Sequence, residues 1–371
     1  MYPYEKFMTT SFSIFEAHYS NIMLTLGKVE RARRLSLRFL TMTCTAKYGY
    51  PAQAHVPDDA SKMVDQIPTS YDSAVMLPLL REEGIGDEVL NALKSVLLSS
   101  RRENGNWNFF IPEEDAEIDL FPDDIDDTSC PLVALYWNGD LTLEELRSQA
   151  EVVIRSAMRR TIVHQRYLHV PKVCVGCLVN FLWLLSVSGL ETDPVALPSF
   201  QFIKDFLGAL QRHQVGDTAL PEMSYYVNRF VIYFFLSRLL DQSQYAREVL
   251  AEQFENIIVS ELENMTRDKG TVSNALNISA LVLAILTFKP HLSSSLGGSA
   301  QVPRLCMALV NALLDLQNPD GSFPTGIVYK WNKLGYYGGS RAYTTALALH
   351  AIGKLEREVM VKEWEIDSPR L

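Results

Sequence analysis

The sequence predicts an all-α fold built from helical hairpins. Six apolar segments recur at intervals of about 40 to 60 residues, and each is long enough to form a helix. Amphipathic segments lie between them, whereas the strict alternation typical of β-strands is nearly absent. Two glycine-containing turns, in which an aromatic residue follows the glycine by two positions, lie at the ends of two of the amphipathic segments.

The apolar segments are candidates for inner helices, because a helix that is apolar all round has to be buried. They cover residues 71–80, 128–137, 173–187, 225–240, 275–286 and 341–352. The amphipathic segments are candidates for outer helices, and they cover residues 87–100, 142–161, 198–212, 245–264 and 303–317. This alternation predicts a helical repeat architecture.

The two turns share one pattern, in which a polar residue is followed by three residues, a glycine, one residue and an aromatic ring. They cover residues 101–107 and 317–323, with Gly105 and Gly321 at the shared position. Glycine supplies the left-handed backbone that ends a helix, and the aromatic ring can pack back on that helix. The pattern therefore indicates a structural role in tying helix ends together.

Composition excludes several classes of protein. A net charge of −10 disfavours binding to nucleic acid or to anionic lipid. The sequence contains no apolar run that could span a bilayer and no signal-peptide pattern, and its odd number of cysteines, five, suits a reducing compartment. We therefore expect a cytoplasmic protein. Cys174 and Cys177 have the spacing of half a zinc site, but no second pair matches them.

The most distinctive stretch is acidic and leads directly into an apolar helix. Nine of the fifteen residues in the range 113–127 are acidic, ending with Asp124, Asp126 and Asp127. Such residues cap helix N-termini, which would place them at the mouth of a pocket. Carboxylates this close together cannot all ionise at neutral pH, so at least one should retain its proton. A protonated Asp in a dry pocket can donate to a base as weak as a carbon–carbon double bond.

The run from Asp124 to Thr128 resembles the Asp-x-Asp-Asp-Thr motif of class II terpene cyclases and squalene-hopene-type cyclases. The resemblance implies that Asp126 protonates an alkene or epoxide, while Asp124 and Asp127 hold the geometry and proton affinity of Asp126. It also implies that Thr128 is the first residue of the inner helix.

The two turns resemble the Gln-x-x-x-Gly-x-Trp repeats of the same superfamily. The first turn keeps Trp107 but has Arg101 in place of Gln, and the second keeps Gln317 but has Phe323 in place of Trp. The fold that the resemblance implies is an (α/α)6 barrel of the terpene cyclase β-domain or prenyltransferase type. We expect this barrel at residues 65–371, with residues 1–64 forming a helical segment that packs on it or caps it.

Further residues are candidates for the site. Aromatic faces stabilise cations, which makes Trp137, Trp183, Tyr225 and Tyr226 candidate substrate contacts, with ordinary core packing as the alternative. His164 and His169 are candidates for a hydrogen bond to the acid or for acceptance of the final proton. Arg229, Tyr336 and Arg341 are candidates for binding a diphosphate, the last two through a Gly-rich segment whose alternative role is to cap a helix.

The resemblance favours a class II cyclase acting on a linear isoprenoid, expected to be a C15 or C20 prenyl diphosphate whose diphosphate is retained. No protein-bound metal is expected, and Mg²⁺ is expected only with a diphosphate substrate. Class II diterpene cyclases close their pocket with a second helical domain. In this chain the N-terminal segment, a homodimer or a partner domain would have to do so.

Three alternatives remain open. Residues 123–127 also fit the Asp-Asp-x-x-Asp motif of class I terpene synthases, but the second metal motif of those enzymes is missing. A prenyltransferase would need a zinc site of Asp, Cys and His, which the sequence does not assemble. The last alternative is a non-catalytic barrel that binds an isoprenoid.

Overall fold

Helices dominate the protein and alternate between an outer and an inner layer. The computed structural model describes residues 25–56, 59–67, 69–111, 123–158, 165–167, 170–213, 221–267, 274–295, 301–331 and 336–360. The outer helices are α1 (25–43), α3 (Asp87–Ser99), α5 (Leu143–Met158), α7 (Ala196–His213), α9 (Gln244–Arg267) and α11 (Gln301–Asp315). The inner helices are α2 (Ser70–Glu82), α4 (Ile125–Asn138), α6 (Val175–Val187), α8 (Arg229–Gln242), α10 (Ala275–Ser295) and α12 (Arg341–Leu355).

The six inner helices form a closed ring. Each packs on the next in chain order, and α12 packs back on α2. Their side chains are buried almost all round, as the apolar segments predicted, whereas the outer helices expose a polar face. Because each outer helix returns the chain to the same end, all inner helices begin at one end of the barrel. The predicted all-α barrel is confirmed, and none of the described helices is both long and apolar enough to cross a membrane.

The structure also contains short strands, which the sequence pattern did not predict. An antiparallel sheet has the order β2 (Asp59–Ile67), β1 (Ala52–Val56), β6 (Tyr336–Gly339) and β5 (Tyr329–Trp331), with Ala54 opposite Gly338. A second pair joins β3 (Gln165–Tyr167) to β4 (Val170–Lys172). Most of these strands have three to five residues, which is too short for a period-two pattern to stand out.

The first glycine-containing turn ties outer helix α3 to inner helix α4. Gly105 has a left-handed backbone with φ of 83°. Trp107 is fully buried, and its indole Nε1 donates to the Leu97 carbonyl at 2.7 Å. Its backbone N–H donates to Thr128 Oγ1 at 3.3 Å, in the first turn of α4. The turn therefore has the structural role that the sequence indicated.

The second turn makes the equivalent connection from α11 to α12. The side-chain amide of Gln317 donates to the carbonyls of Gly321, at 3.1 Å, and Ala32, at 3.0 Å. The backbone N–H of Phe323 donates to Thr345 Oγ1 at 2.9 Å. The two turns thus fix two inner helices by the same hydrogen bond from an aromatic residue to a threonine.

Replacing Trp107 by Phe is expected to lower the free energy of unfolding by about 1–3 kcal/mol, because the buried Leu97 carbonyl loses its donor. Equilibrium unfolding in urea measures the change. Phenylalanine is the residue that the second turn carries at the matching position, Phe323, so the ring itself is compatible with this kind of turn. A midpoint equal to that of the unchanged protein would show that the indole hydrogen bond contributes nothing.

Helix α1 completes the outer layer on the N-terminal side. Its Ser36 hydroxyl donates to the Gly321 carbonyl at 3.1 Å, and its Arg33 pairs with Glu83 at 3.1 Å, at the end of α2. The N-terminal region therefore packs on the barrel where it is described, and residues 1–24 lie outside the described residues. The division of the chain into residues 1–64 and 65–371 stays a prediction.

Candidate active site

The acidic motif forms the N-terminus of inner helix α4. Asp124 is the N-cap, and its Oδ1 accepts the backbone N–H groups of Asp126 at 3.1 Å and Asp127 at 3.0 Å. The helix consequently begins at Ile125, three residues before the predicted first residue, Thr128. Asp124 is half-buried, whereas Asp126 and Asp127 are 2% and 3% exposed.

Asp126 lies inside the barrel, and its two carboxyl oxygens have different surroundings. Its Oδ2 accepts a hydrogen bond from the Tyr226 hydroxyl at 2.5 Å. Its Oδ1 is buried and has no hydrogen-bond partner among the described residues. Burial, followed by the charge of Asp124, raises the pKa of Asp126 well above its usual range and outweighs the opposing hydrogen bond from Tyr226. Burial and the neighbouring charge of Asp124 therefore favour the protonated form of Asp126.

The second buried carboxyl group, that of Asp127, responds in the same way. Burial and the charges of Asp124 and Asp126 raise its pKa well above the usual range. Burial and neighbouring charge therefore favour the neutral, proton-donating forms of both buried carboxyl groups.

Tyr226 reaches Asp126 from the loop that precedes α8. Its ring lies against Gly176 in the first turn of α6, where an added Cβ would stand 2.2 Å from the ring. The edge of the ring meets Phe235 at 5.0 Å, and Tyr71 lies 5.9 Å away. Because any larger residue at position 176 would displace the ring, the glycine helps to set the position of the Tyr226 hydroxyl.

Replacing Tyr226 by Phe is expected to slow any reaction that Asp126 initiates by about ten- to a hundredfold. A hydrogen bond to a charged group contributes about 1.5–3 kcal/mol, and this one stabilises the carboxylate that remains after proton transfer. Single-turnover rates of the two proteins measure the effect. Tyr245→Phe removes a hydroxyl from outer helix α9 and is the matched control. Equal rates for Tyr226→Phe and the unchanged protein would contradict the assignment.

Deeper in the barrel, a buried cation occupies the aromatic surface. The guanidinium of Arg238 lies 4.1 Å from the ring centroid of Trp183, 4.7 Å from that of Phe234 and 5.0 Å from that of Phe235. It donates to Asn180 Oδ1 at 2.8 Å. One face of Trp183 is thus taken by a protein cation. Trp137 meets Trp183 edge to face at 5.1 Å and lies in the last turn of α4, at the opposite end of that helix from Asp124.

The two predicted diphosphate-binding arginines each pair with a different carboxylate of the protein. Arg229 forms a two-pronged salt bridge with Glu261, at 2.7 and 3.2 Å. Arg341 pairs with Asp320. Each guanidinium is therefore engaged with a carboxylate on a different outer element.

Fewer contacts are described for the remaining predicted site residues. Tyr225 is half-buried, and its carbonyl accepts the backbone N–H of Lys330 at 2.7 Å. Tyr336 begins strand β6. His164 and His169 lie outside the described residues. Their predicted roles stay predictions.

Metal binding fits the acidic cluster poorly. Oxygens of Asp124, Asp126 and Asp127 lie within 4.8 Å of one another, close enough to share an ion. However, burial favours the neutral forms of Asp126 and Asp127, and the positive end of the α4 dipole disfavours a cation. The other such group within the described part of the chain is Glu82, Glu83 and His350, so neither group contains a cysteine of the kind a zinc prenyltransferase site would use.

Sequence reasoning missed two buried charged residues of the inner helices. Asp72 is fully buried in the first turn of α2, and Arg238 is 9% exposed in α8. Both lie inside predicted inner helices, Asp72 directly after Tyr71 and Arg238 two residues after Leu236. A charge within a segment predicted to be buried on every side was the signal that could have identified them.

Known proteins resemble this chain in sequence and in fold. No family profile matches the chain. The sequence is 27% identical over 247 residues to drimenol cyclase drtB of Aspergillus calidoustus, an alignment that covers 66% of this chain and 41% of that protein. The chain thus spans less than half the length of this curated relative.

The fold is that of the type II terpene cyclases. A variant of the type II terpene cyclase MstE from Scytonema, in complex with its substrate geranylgeranyl dihydroxybenzoate, superposes with a TM-score of 0.59 at 14% identity, over 90% of this chain and 99% of that chain. An unsaturated glucuronyl hydrolase specific for heparin also matches, with a TM-score of 0.53 at 12% identity, over 91% and 98% of the chains. The predicted resemblance to the class II terpene cyclase superfamily is confirmed in sequence and fold, although the barrel alone also serves other chemistry.

Proposed function

We propose that the protein is a class II terpene cyclase that starts its reaction with the proton of Asp126. The observation that carries this proposal is a buried carboxyl group whose surroundings favour the protonated form and whose Oδ1 makes no hydrogen bond of good geometry among the described residues. A glycosidase on the same barrel would act on a polar sugar, whereas this interior is apolar and aromatic. The sequence similarity to a drimenol cyclase supports the same class.

In the proposed reaction, the Asp126 hydroxyl adds its proton to a terminal alkene or epoxide of a linear isoprenoid. The resulting tertiary cation is attacked by internal double bonds, which closes the rings, and loss of a proton ends the reaction. The new Asp126 carboxylate is stabilised by the Tyr226 hydroxyl and by the N-terminus of α4. Each group is in place before the proton moves, so little reorganisation is required.

The substrate that we propose is a C15 or C20 prenyl diphosphate whose diphosphate is retained, with Mg²⁺ binding only as the partner of that diphosphate. MstE was captured with a geranylgeranyl chain on a dihydroxybenzoate, so a different head group is the competing choice. In that match 99% of the MstE chain is aligned, which supports catalysis by a single barrel; closure by a homodimer or a partner domain stays a prediction. A cytoplasmic location also stays a prediction.

Product analysis tests the proposal directly. The purified protein is incubated with farnesyl diphosphate, geranylgeranyl diphosphate, geranylgeranyl dihydroxybenzoate or squalene, with and without Mg²⁺, and products are analysed by mass spectrometry before and after phosphatase treatment. A cyclic product of unchanged mass that retains its head group is the expected result. A hydrocarbon formed with loss of diphosphate would indicate class I chemistry, and no product from any of the four would favour a non-catalytic binding protein.

A further inference from the structure

A second carboxyl group, that of Asp72, is buried in the barrel interior. It lies in the first turn of α2, which is capped by Thr69, and it is 0% exposed. Neither of its oxygens makes a hydrogen bond of good geometry within the described residues. The Tyr329 hydroxyl lies within reach and favours the ionised form of the carboxyl group. A buried carboxyl group without a well-formed hydrogen bond is costly to the fold, which suggests that it has a function.

Aromatic side chains connect the surroundings of Asp72 to those of Asp126. The Tyr71 ring lies 5.9 Å from the Tyr226 ring and 5.9 Å from the Phe109 ring, which in turn meets Tyr329 at 4.9 Å. Tyr226 holds Asp126, and Tyr329 stands beside Asp72. A continuous series of aromatic rings therefore runs from one carboxyl group to the other.

Unpaired polar atoms gather in the same interior. The Tyr343 hydroxyl is buried and makes no hydrogen bond of good geometry among the described residues, and the same holds for Asp126 Oδ1 and both oxygens of Asp72. Tyr343 is close enough to Asp72 and to Arg238 for both charges to act on its pKa. Unpaired polar atoms on several inner helices are typical of a binding cavity rather than of a packed core.

We propose that Asp72 is the base that ends the cyclisation, an inference that rests on the function proposed above. The Asp72 carboxylate removes a proton from the carbon next to the final cation. The C–H bond breaks, its electron pair forms a carbon–carbon double bond, and the carboxylate becomes a carboxylic acid. Asp126 has lost one proton to the substrate and Asp72 has gained one, so the protein returns to its starting state when solvent re-equilibrates the two groups.

The environments of the two carboxyl groups suit opposite roles. Burial raises the pKa of Asp72 to about 7, opposed by the Tyr329 hydrogen bond, so a large share of Asp72 is ionised at neutral pH. Asp126 is buried beside the charge of Asp124, which favours its protonated form. Two carboxyl groups with separated pKa values are the usual arrangement of an acid and a base in one site. The titratable groups that interact with Asp72 are Tyr329 of β5 and Tyr343 of α12. Arg238 of α8 and Cys130 of α4 act on the neighbouring tyrosines Tyr71 and Tyr343, and Asp126 acts on Tyr71.

Asp72→Asn tests the assignment, assayed with whichever of the four substrates the unchanged protein cyclises. We expect formation of the alkene product to fall by about a hundredfold. Cyclic products that have captured water, with a mass greater by one water, should appear in its place because the cation still forms. Ser73→Ala removes a buried polar group from the same turn of α2, on the side of Gly49, and is the matched control.

The pH dependence of the unchanged protein gives a second, independent measurement. As pH falls through about 7, Asp72 gains a proton, so the rate of alkene formation should fall while the share of water-captured product rises. This acidic limb should be absent in Asp72→Asn. Because the measurement on the unchanged protein needs no variant, it decides the question even if Asp72→Asn does not fold.

The outcomes separate this inference from the proposed function. If no substrate is cyclised, or if Asp126→Asn is as active as the unchanged protein, the proposed function fails and the role of Asp72 fails with it. If Asp126→Asn is inactive but Asp72→Asn gives the original alkene at the original rate, only the role of Asp72 is overturned. Loss of every cyclic product from folded Asp72→Asn would also overturn it, since a terminating base is not needed to form the cation.

Discussion

Asp126→Asn is expected to lower the rate of cyclisation about a thousandfold or more while leaving the fold unchanged. The carboxamide has nearly the shape of a protonated carboxyl group and can still accept the hydrogen bond from Tyr226. Its N–H group, however, is far too weak an acid to protonate an alkene. Because burial favours the neutral form of Asp126, the substitution should change the buried charge little and cost little stability.

A matched substitution in the same acidic stretch separates the loss of the proton donor from the loss of a carboxyl group in general. Asp123 lies three residues earlier, where it pairs with Arg102 at 3.0 Å and accepts from the Asn104 side chain at 2.8 Å. Asp123→Asn removes one carboxyl group from the cluster without touching the Asp126–Tyr226 pair. We expect it to retain most of the cyclase rate, measured by product formation under the same conditions, with unfolding midpoints of both variants as the check on folding.

Equal activity of Asp126→Asn and the unchanged protein would remove the central argument for a protonating enzyme. Loss of activity in both Asp123→Asn and Asp126→Asn would instead point to the collective charge of the cluster, as a metal-dependent class I mechanism requires. Only loss in Asp126→Asn alone agrees with a single buried acid.

The barrel could be predicted from the sequence because apolar segments with helical length leave few alternatives. The loop before α8 shows the limit of that reasoning. Residues 225–240 read as one apolar helix, yet the helix begins at Arg229 because the Asn228 side chain accepts the Phe230 N–H and caps it. Tyr226 is thereby left in the loop and free to turn towards Asp126. An aromatic residue at position 226 gives the same apolar pattern whether it lies in the helix or in the loop before it, so only tertiary structure distinguishes these two positions.

The glycine-rich segment near the C-terminal part of the chain illustrates a different limit. Its two glycines suggested a loop that binds a diphosphate, but they lie in strand β6, beside β1. A Cβ at Gly339 would stand 2.0 Å from the Gly326 carbonyl oxygen, so close backbone packing explains the glycine. A glycine can serve either a loop that binds a ligand or a strand that packs closely on a neighbouring backbone, and the sequence alone does not distinguish the two. Asp126 could be predicted as the acid because Asp124 and Asp127 lie beside it in the sequence. Asp72 and Arg238 could not, because they lie on helices that are far apart in the sequence.

The other large effect that we expect concerns stability at the far end of the barrel. Glu83 closes α2, and its side chain is 0% exposed. It pairs with Arg33 at 3.1 Å, Arg357 at 2.9 Å and His350 at 3.1 Å, which joins α1 and α12 to α2. Burial alone would raise the pKa of Glu83, but hydrogen bonds from His350 and Arg357 outweigh it and lower the pKa below its ordinary value of 4.5.

Glu83→Gln is expected to lower the free energy of unfolding at pH 7 by about 3–5 kcal/mol, because it leaves partly buried cations without their counter-charge. A carboxyl group whose pKa is lowered by folding contributes stability that is fully present above pH 4.5 and is lost as pH falls through the folded-state pKa. The gap between the two proteins should therefore narrow below pH 4.5, as urea unfolding across pH would measure. Glu82→Gln makes the same change at a neighbouring, 54% exposed side chain and should cost less than about 1 kcal/mol. A gap for Glu83→Gln that stays constant through acid pH would show that packing, and not charge, holds this end of the barrel.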